Sequence, residues 1–186
     1  MTAFITRCFK NNSLLVVLAT LALLFAAVAE AQAEDIEVRH AALVAGEEGY
    51  YLEADFEIAL NVTLEEALNK GVPLFFQLEF ELIRPRWYWL DEKVLNTQQQ
   101  YRLSYNTLTR QYRIGVGSLY RNFDALAEAL DFLSRVRRRQ VLESRILTKG
   151  NTYMAGVRMR LDVTQLPKPF QLNALASGEW NFGSEW

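Results

Sequence analysis

Cysteine and histidine are almost missing: the 186-residue sequence holds one of each, Cys8 and His40. Cys8 stands before a long apolar run instead of closing it, so it is not placed as a lipid-attachment cysteine. A chain that loses that run keeps no thiol, which excludes disulfide staples and leaves the fold to a hydrophobic core. Without a second histidine or another cysteine there is no ordinary zinc site. A Ser-His-Asp arrangement would have to recruit His40, and no serine stands in a G-x-S-x-G setting. Glycine-rich phosphate loops are lacking too, since "GVG" at 115–117 is only a fragment of one. Internal repeats, long linkers and low-complexity tracts are also missing, and no cofactor is implied.

What the sequence does have begins with a leader. A basic segment with Arg7 and Lys10 precedes the 16-residue apolar run Leu14–Ala29, whose only polar member is Thr20. That is shorter than the roughly 20 residues of a bilayer-spanning helix. Small residues follow at Ala29-Glu30-Ala31 and Ala31-Gln32-Ala33, which completes a secretory signal-peptide pattern. The expectation is cleavage after Ala33, with residues 34–186 forming a single domain in the periplasm or outside the cell. The alternative is an apolar run retained as an anchor. Export removes nucleic acid from the partners to be considered.

Beyond the leader stand 18 basic and 21 acidic residues, unevenly placed. Residues 34–83 hold 12 acidic and 2 basic side chains, whereas 84–139 hold 5 acidic and 11 basic. Such asymmetry more often means strands that answer each other inside a fold than a polyanion-binding surface.

Period-two alternation dominates. Tyr50, Leu52, Ala54, Phe56, Ile58 and Leu60 oppose Glu53, Asp55 and Glu57, and Leu74 to Leu82 repeat the pattern against Gln77, Glu79 and Glu81. Further strands are expected at 36–42, 94–105, 111–116, 153–163 and, more weakly, 170–176. "NTLT" at 106–109 joins two of them as a hairpin. Thr63 with Glu66 reads as a capping box opening a short helix that closes at Gly71. A longer amphipathic helix starts near Asp124 with Leu126, Ala129, Leu130 and Leu133 on one face, and runs into Arg135, Arg137, Arg138 and Arg139. Seven or eight strands with these two helices predict a mainly β antiparallel sandwich.

Several segments together resemble one family. They are "GVPLFFQLEFEL", "RPRWYW", "YRLSYNTLTRQYRI", "FDALAEAL", "RMRLDVTQLPKPFQLNAL" and the terminal tryptophans, in fixed order. In these the chain resembles the secreted proteobacterial proteins grouped as domain-of-unknown-function family 4390. The resemblance implies an exported, β-rich domain and brings no catalytic or binding role to any residue.

The richest candidate site is "RPRWYW", with Arg84, Arg86, Trp87, Tyr88 and Trp89. Continuing the register of Leu74–Leu82 would bury Arg84 and Arg86, at a large cost without partners. A bulge over 83–85 is therefore expected, turning Trp87 and Trp89 inward or onto the sheet rim and sending the arginines to acidic neighbours or onto the rings. Such a rim suits a protein-binding or adaptor module in the envelope, without enzymatic activity. The alternative is a carrier for a small apolar or lipid-like ligand between the sheets. Behind these stand an outer-membrane barrel, prompted by the parity of Trp180, Phe182 and Trp186, and a hydrolase built on His40 or the carboxylate row. His40 shares its parity with Ile36, Val38 and Ala42, the position of a core histidine. Chain reversal would bring Glu53 near Glu81 and Asp55 near Glu79. Like charges opposite one another are destabilising, so Arg158 and Arg160 are expected beside them; a calcium site is the rarer use of such a row. The arginine run at 135–139 is a solvated helix end or a contact for anionic lipid headgroups.

Overall fold

The computed structural model describes residues 36–88 and 90–186, without the side chains of residues 175 and 176. The signal-peptide reading lies outside these residues, as does Trp89. Strands β1 (Ile36–Ala45), β2 (Gly49–Ile58) and β7 (Arg135–Glu143) form one antiparallel sheet in the order β1-β2-β7. The other is β6-β5-β4-β3-β8, built from β3 (Leu74–Arg84), β4 (Glu92–Asn106), β5 (Gln111–Val116), β6 (Leu119–Phe123) and β8 (Met154–Leu161). The expected mainly β, sandwich-like architecture is present, and both sheets are open instead of closing into a barrel.

The alternation read in the sequence sets the core. Leu52, Ala54 and Phe56 of β2 are buried, as are Phe76, Leu78, Phe80 and Leu82 of β3 and Val157, Met159 and Leu161 of β8. Apart from Ala54, each such side chain stabilises the fold by about 1.5–3 kcal/mol. Among the described residues no helix is long and apolar enough to cross a membrane.

Helix α1 (Val62–Asn69) is capped two residues before the expected position: Asn61 Oδ1 accepts the Leu64 N–H at 2.9 Å. Thr63 is instead inside the helix and donates to the Glu179 carboxylate, while Glu66 pairs with Lys70. Gly71, at φ +91°, ends it as expected. Helix α2 (Leu126–Ser134) buries Ala129 and Leu133 but stops before the arginine run. Val136 then faces inward opposite buried Ala54, and residues 135–143 pair with the acidic strand β2. The run is therefore a strand and not a helix end, and α2 is hardly longer than α1. The segment 170–176, read as a weak strand, lies in helix α3 (Lys168–Ala176), which has a proline in its first turn.

His40 is exposed, against the core position expected of it. The ladder runs Val38↔Phe56 and then His40↔Asp55, so Arg39 is an extra residue and the parity of β1 inverts there. The C-terminal segment covers an edge. Leu161 N–H donates to the Phe182 carbonyl at 2.7 Å, and Ser184 N–H to that of Met159 at 2.8 Å. This occupies the free side of β8, and Phe182 meets Phe76 edge-on at 6.2 Å. The terminal aromatic parity thus serves the domain core through Trp180 and Phe182.

Candidate functional site

The "RPRWYW" segment lies where β3 turns into β4. Strand β3 does not bulge, and its pairing with β8 continues unbroken through Leu82↔Ala155 and Ile83↔Met154. The irregularity is on β4, where Leu82↔Leu95 is followed by Ile83↔Lys93, which leaves Val94 as the extra residue. Without it Arg84 would stand opposite Lys93; with it, Arg84 stands opposite Glu92. No switch of face is needed on β3, because Arg84 is at the sheet's end and its side chain stays about a third exposed.

Both guanidiniums converge on one carboxylate: Arg84 Nη2 and Arg86 Nη2 each hydrogen-bond Glu92 Oε2. The Arg86 backbone N–H adds a bond to Asp91 Oδ1 at 3.2 Å. The hydrogen bond from Arg86, with the two positive charges, outweighs desolvation and holds the Glu92 carboxyl below the usual carboxylate range. Next to this clamp Lys93 pairs with Glu81 at 3.0 Å.

Trp87, expected inward or on the sheet rim, takes neither position and projects into solvent. It is 94 % exposed, with Tyr88 at 68 % and Leu90 at 81 %. The Trp87 and Tyr88 rings meet edge to face at 5.3 Å, so their own contact orders them. The turn has no inward side to offer, since β3 ends at Arg84. The structure thus separates the expected site into a polar base of Arg84, Arg86 and Glu92 and an apolar tip of Trp87, Tyr88 and Leu90. Sequence reading missed Glu92 and Leu90; the signal for Glu92 was its opposite charge a short turn away.

Elsewhere the carboxylates are also answered by arginines. Glu79, 2 % exposed, takes Arg158 at 2.6 Å and Arg160 at 2.9 Å from β8, as expected. Burial pushes its carboxyl up, but the hydrogen bonds and charges of the two arginines more than offset this and hold it low. Trp186 covers the pair, its ring 4.2 Å from the Arg158 guanidinium carbon. The juxtaposition of Glu53 with Glu81 and of Asp55 with Glu79 does not occur, because β2 and β3 belong to different sheets. Asp55 instead accepts a 2.5 Å bond from Arg137, which holds its carboxyl low, and Glu57 is taken by Arg39. Among the described residues no three His, Cys, Asp or Glu side chains gather as a metal site would need.

The chain belongs to the family described as Domain of unknown function (DUF4390), which matches residues 33–186. No curated protein and no solved structure matches it.

Proposed function

For a chain whose family carries no assigned activity the geometry is the guide, and we propose an exported, non-catalytic envelope domain that docks a partner protein through the β3–β4 tip. The observation that carries this is the exposure of Trp87, Tyr88 and Leu90 on a turn whose base is fixed by Arg84, Arg86 and Glu92. Large aromatics held out from a rigid edge are the side chains that dominate binding energy when a partner pocket encloses them. The fixed base limits the ordering entropy lost on association.

The non-catalytic reading is supported by the direction of the carboxyl shifts. A general acid needs its carboxyl raised towards neutrality, whereas Asp55, Glu79 and Glu92 are all held low by arginines.

The test begins with a photo-crosslinking residue at position 88 in intact cells, followed by purification of the captured protein. That protein should bind the full chain and lose roughly tenfold or more in affinity for Trp87→Ser/Tyr88→Ser, since each buried aromatic anchor is worth about 2 kcal/mol. Equal affinity overturns the proposal. So does flotation of the chain with anionic vesicles that depends on the same two residues, because the tip would then be a membrane contact.

A further inference from the structure

Away from the tip, a groove of about 720 Å³ opens between the two sheets, lined by β4, β5 and β6 of one, β7 of the other, and α2. Its apolar lining comes from Tyr101, Val116, Phe123, Phe132 and Val136. Arginines 121, 135, 137 and 139 stand around that lining. Four guanidiniums face two carboxylates, Glu128 and Asp131, an excess of two positive charges; Asp55, which pairs with Arg137 from outside, reduces it to one.

The arginines are not equivalent. Arg135 is bound to Asp131 and Arg137 to Asp55. Arg121 and Arg139 have no carboxylate partner among the described residues. Arg121 lies over the Phe132 ring at 5.0 Å and the Phe123 ring at 5.5 Å, so its charge is held at the edge of the aromatic lining. Arg139 is placed by a bulge. Strand β7 fits Val136 opposite Ala54 and Arg139 opposite Leu52, three residues of β7 against two of β2, with Arg138 in the left-handed region at φ +44°.

Ala54 and Leu52 both face the core, so the bulge points Arg139 into the gap between the sheets. There it is half-buried and donates to a neutral acceptor, Gln99 Oε1 of β4, at 2.7 Å. Left-handed backbone at a non-glycine residue costs about 1–3 kcal/mol and gathers at functional positions. A cation aimed inward at that cost, beside apolar surface and without an anion, is a poor way to stabilise a core.

We propose that this groove binds a single-chain amphiphile with an anionic head, its tail along Phe123, Phe132 and Val116 and its carboxylate or phosphate between Arg121 and Arg139. The volume lies in the range of small-molecule sites, roughly 300–1,000 Å³. Two guanidiniums without carboxylate partners suit a head with two or more acceptor oxygens. The site is separate from the β3–β4 tip, and its fate does not depend on that of the docking proposal.

The test uses the full chain and a dansyl-labelled undecanoic acid, whose fluorescence reports binding. Saturable binding is expected, with displacement by palmitate and by lysophosphatidic acid. Hexadecanol, with the same tail and no charge, should compete roughly tenfold less well, and inorganic phosphate should not compete. Arg121→Gln, on an exposed edge strand that tolerates it, should remove most of the preference for palmitate over hexadecanol. Val116→Trp should weaken the charged and the neutral ligand alike by filling the groove. No saturable binding, equal displacement by hexadecanol, competition by phosphate alone, or a probe affinity unchanged in both variants overturns the proposal. Circular dichroism of each variant confirms that the fold compared is the same.

Discussion

Two carboxylates in this molecule are each gripped by two arginines, and they serve opposite ends. Glu79 sits mid-sheet, its side chain 3 % exposed, between Arg158 and Arg160 of the neighbouring strand and under the Trp186 ring. Glu92 sits at the end of the same sheet, its side chain 38 % exposed, between Arg84 and Arg86. The chemistry is the same and the solvent is not. In water a pair of this kind is worth little, because screening and side-chain entropy offset the attraction. Where the carboxylate is buried, its removal leaves two half-buried cations with no other carboxylate partner among the described residues. The first cluster therefore acts on stability, the second on geometry.

The comparison is tested most severely at Glu79. Glu79→Gln is expected to cost about 2–3 kcal/mol, towards the lower end for a broken buried pair because both arginines keep a solvated side. In a domain of this size that lowers the thermal midpoint by about 6 °C, as read by circular dichroism or calorimetry. An unchanged midpoint would show that the solvated arginines suffice without their partner.

Acid should sharpen the same contrast. The Glu79 carboxyl is held below its ordinary value in the folded chain, so its contribution is fully present above the unfolded value of about 4.3 and is lost as pH falls through the lower folded value. The stability gap between wild type and Glu79→Gln should be constant from neutral pH to about 5 and shrink below about 4. A gap that widened on acidification would mean that the folded carboxyl is raised instead.

Smaller still is the effect of the ring above the pair. Trp186→Ala removes a cation–π contact with Arg158, for a loss of about 1 kcal/mol that Arg158→Gln should largely abolish in a double-mutant cycle. Additive losses would place the Trp186 contribution elsewhere. Glu92→Gln comes last, with a thermal midpoint within ~1 °C of wild type.

How far these regions were legible in the sequence follows from their periodicity. Strands β2 and β3 bury one face each, so Leu52–Ile58 and Leu74–Leu82 alternate cleanly. The "NTLT" hairpin was readable because its chemistry is local, with Asn106 Oδ1 accepting the N–H groups of Leu108 and Thr109. Strand β6 left no such trace, since most of "LYRNF" is exposed on this edge of the sheet. Strand β7 was hidden because its bulges break the period and its arginines resemble a helix end. His40 was misplaced by one extra residue at Arg39, which no composition signal marks.

The pairing of Glu79 with Arg158 and Arg160 was legible from outward parity and opposite charge, although the facing carboxylates of β2 that prompted it lie in the other sheet. The clamp on Glu92 was not, because it depends on which strand carries the bulge. In the sequence "RPRWYW" looked like one patch. Its division into a polar base and an apolar tip is a property of the turn.

The most direct test measures binding and unfolding together for Glu92→Gln and Glu79→Gln, using a partner that recognises Trp87 and Tyr88. Glu92→Gln should unfold with the wild type and lose roughly fivefold or more in affinity because the tip is no longer held, while Glu79→Gln should unfold earlier and bind as wild type wherever it remains folded. Undiminished binding by Glu92→Gln, with a loss in the folded Glu79→Gln protein, would contradict the assignment of the two clusters.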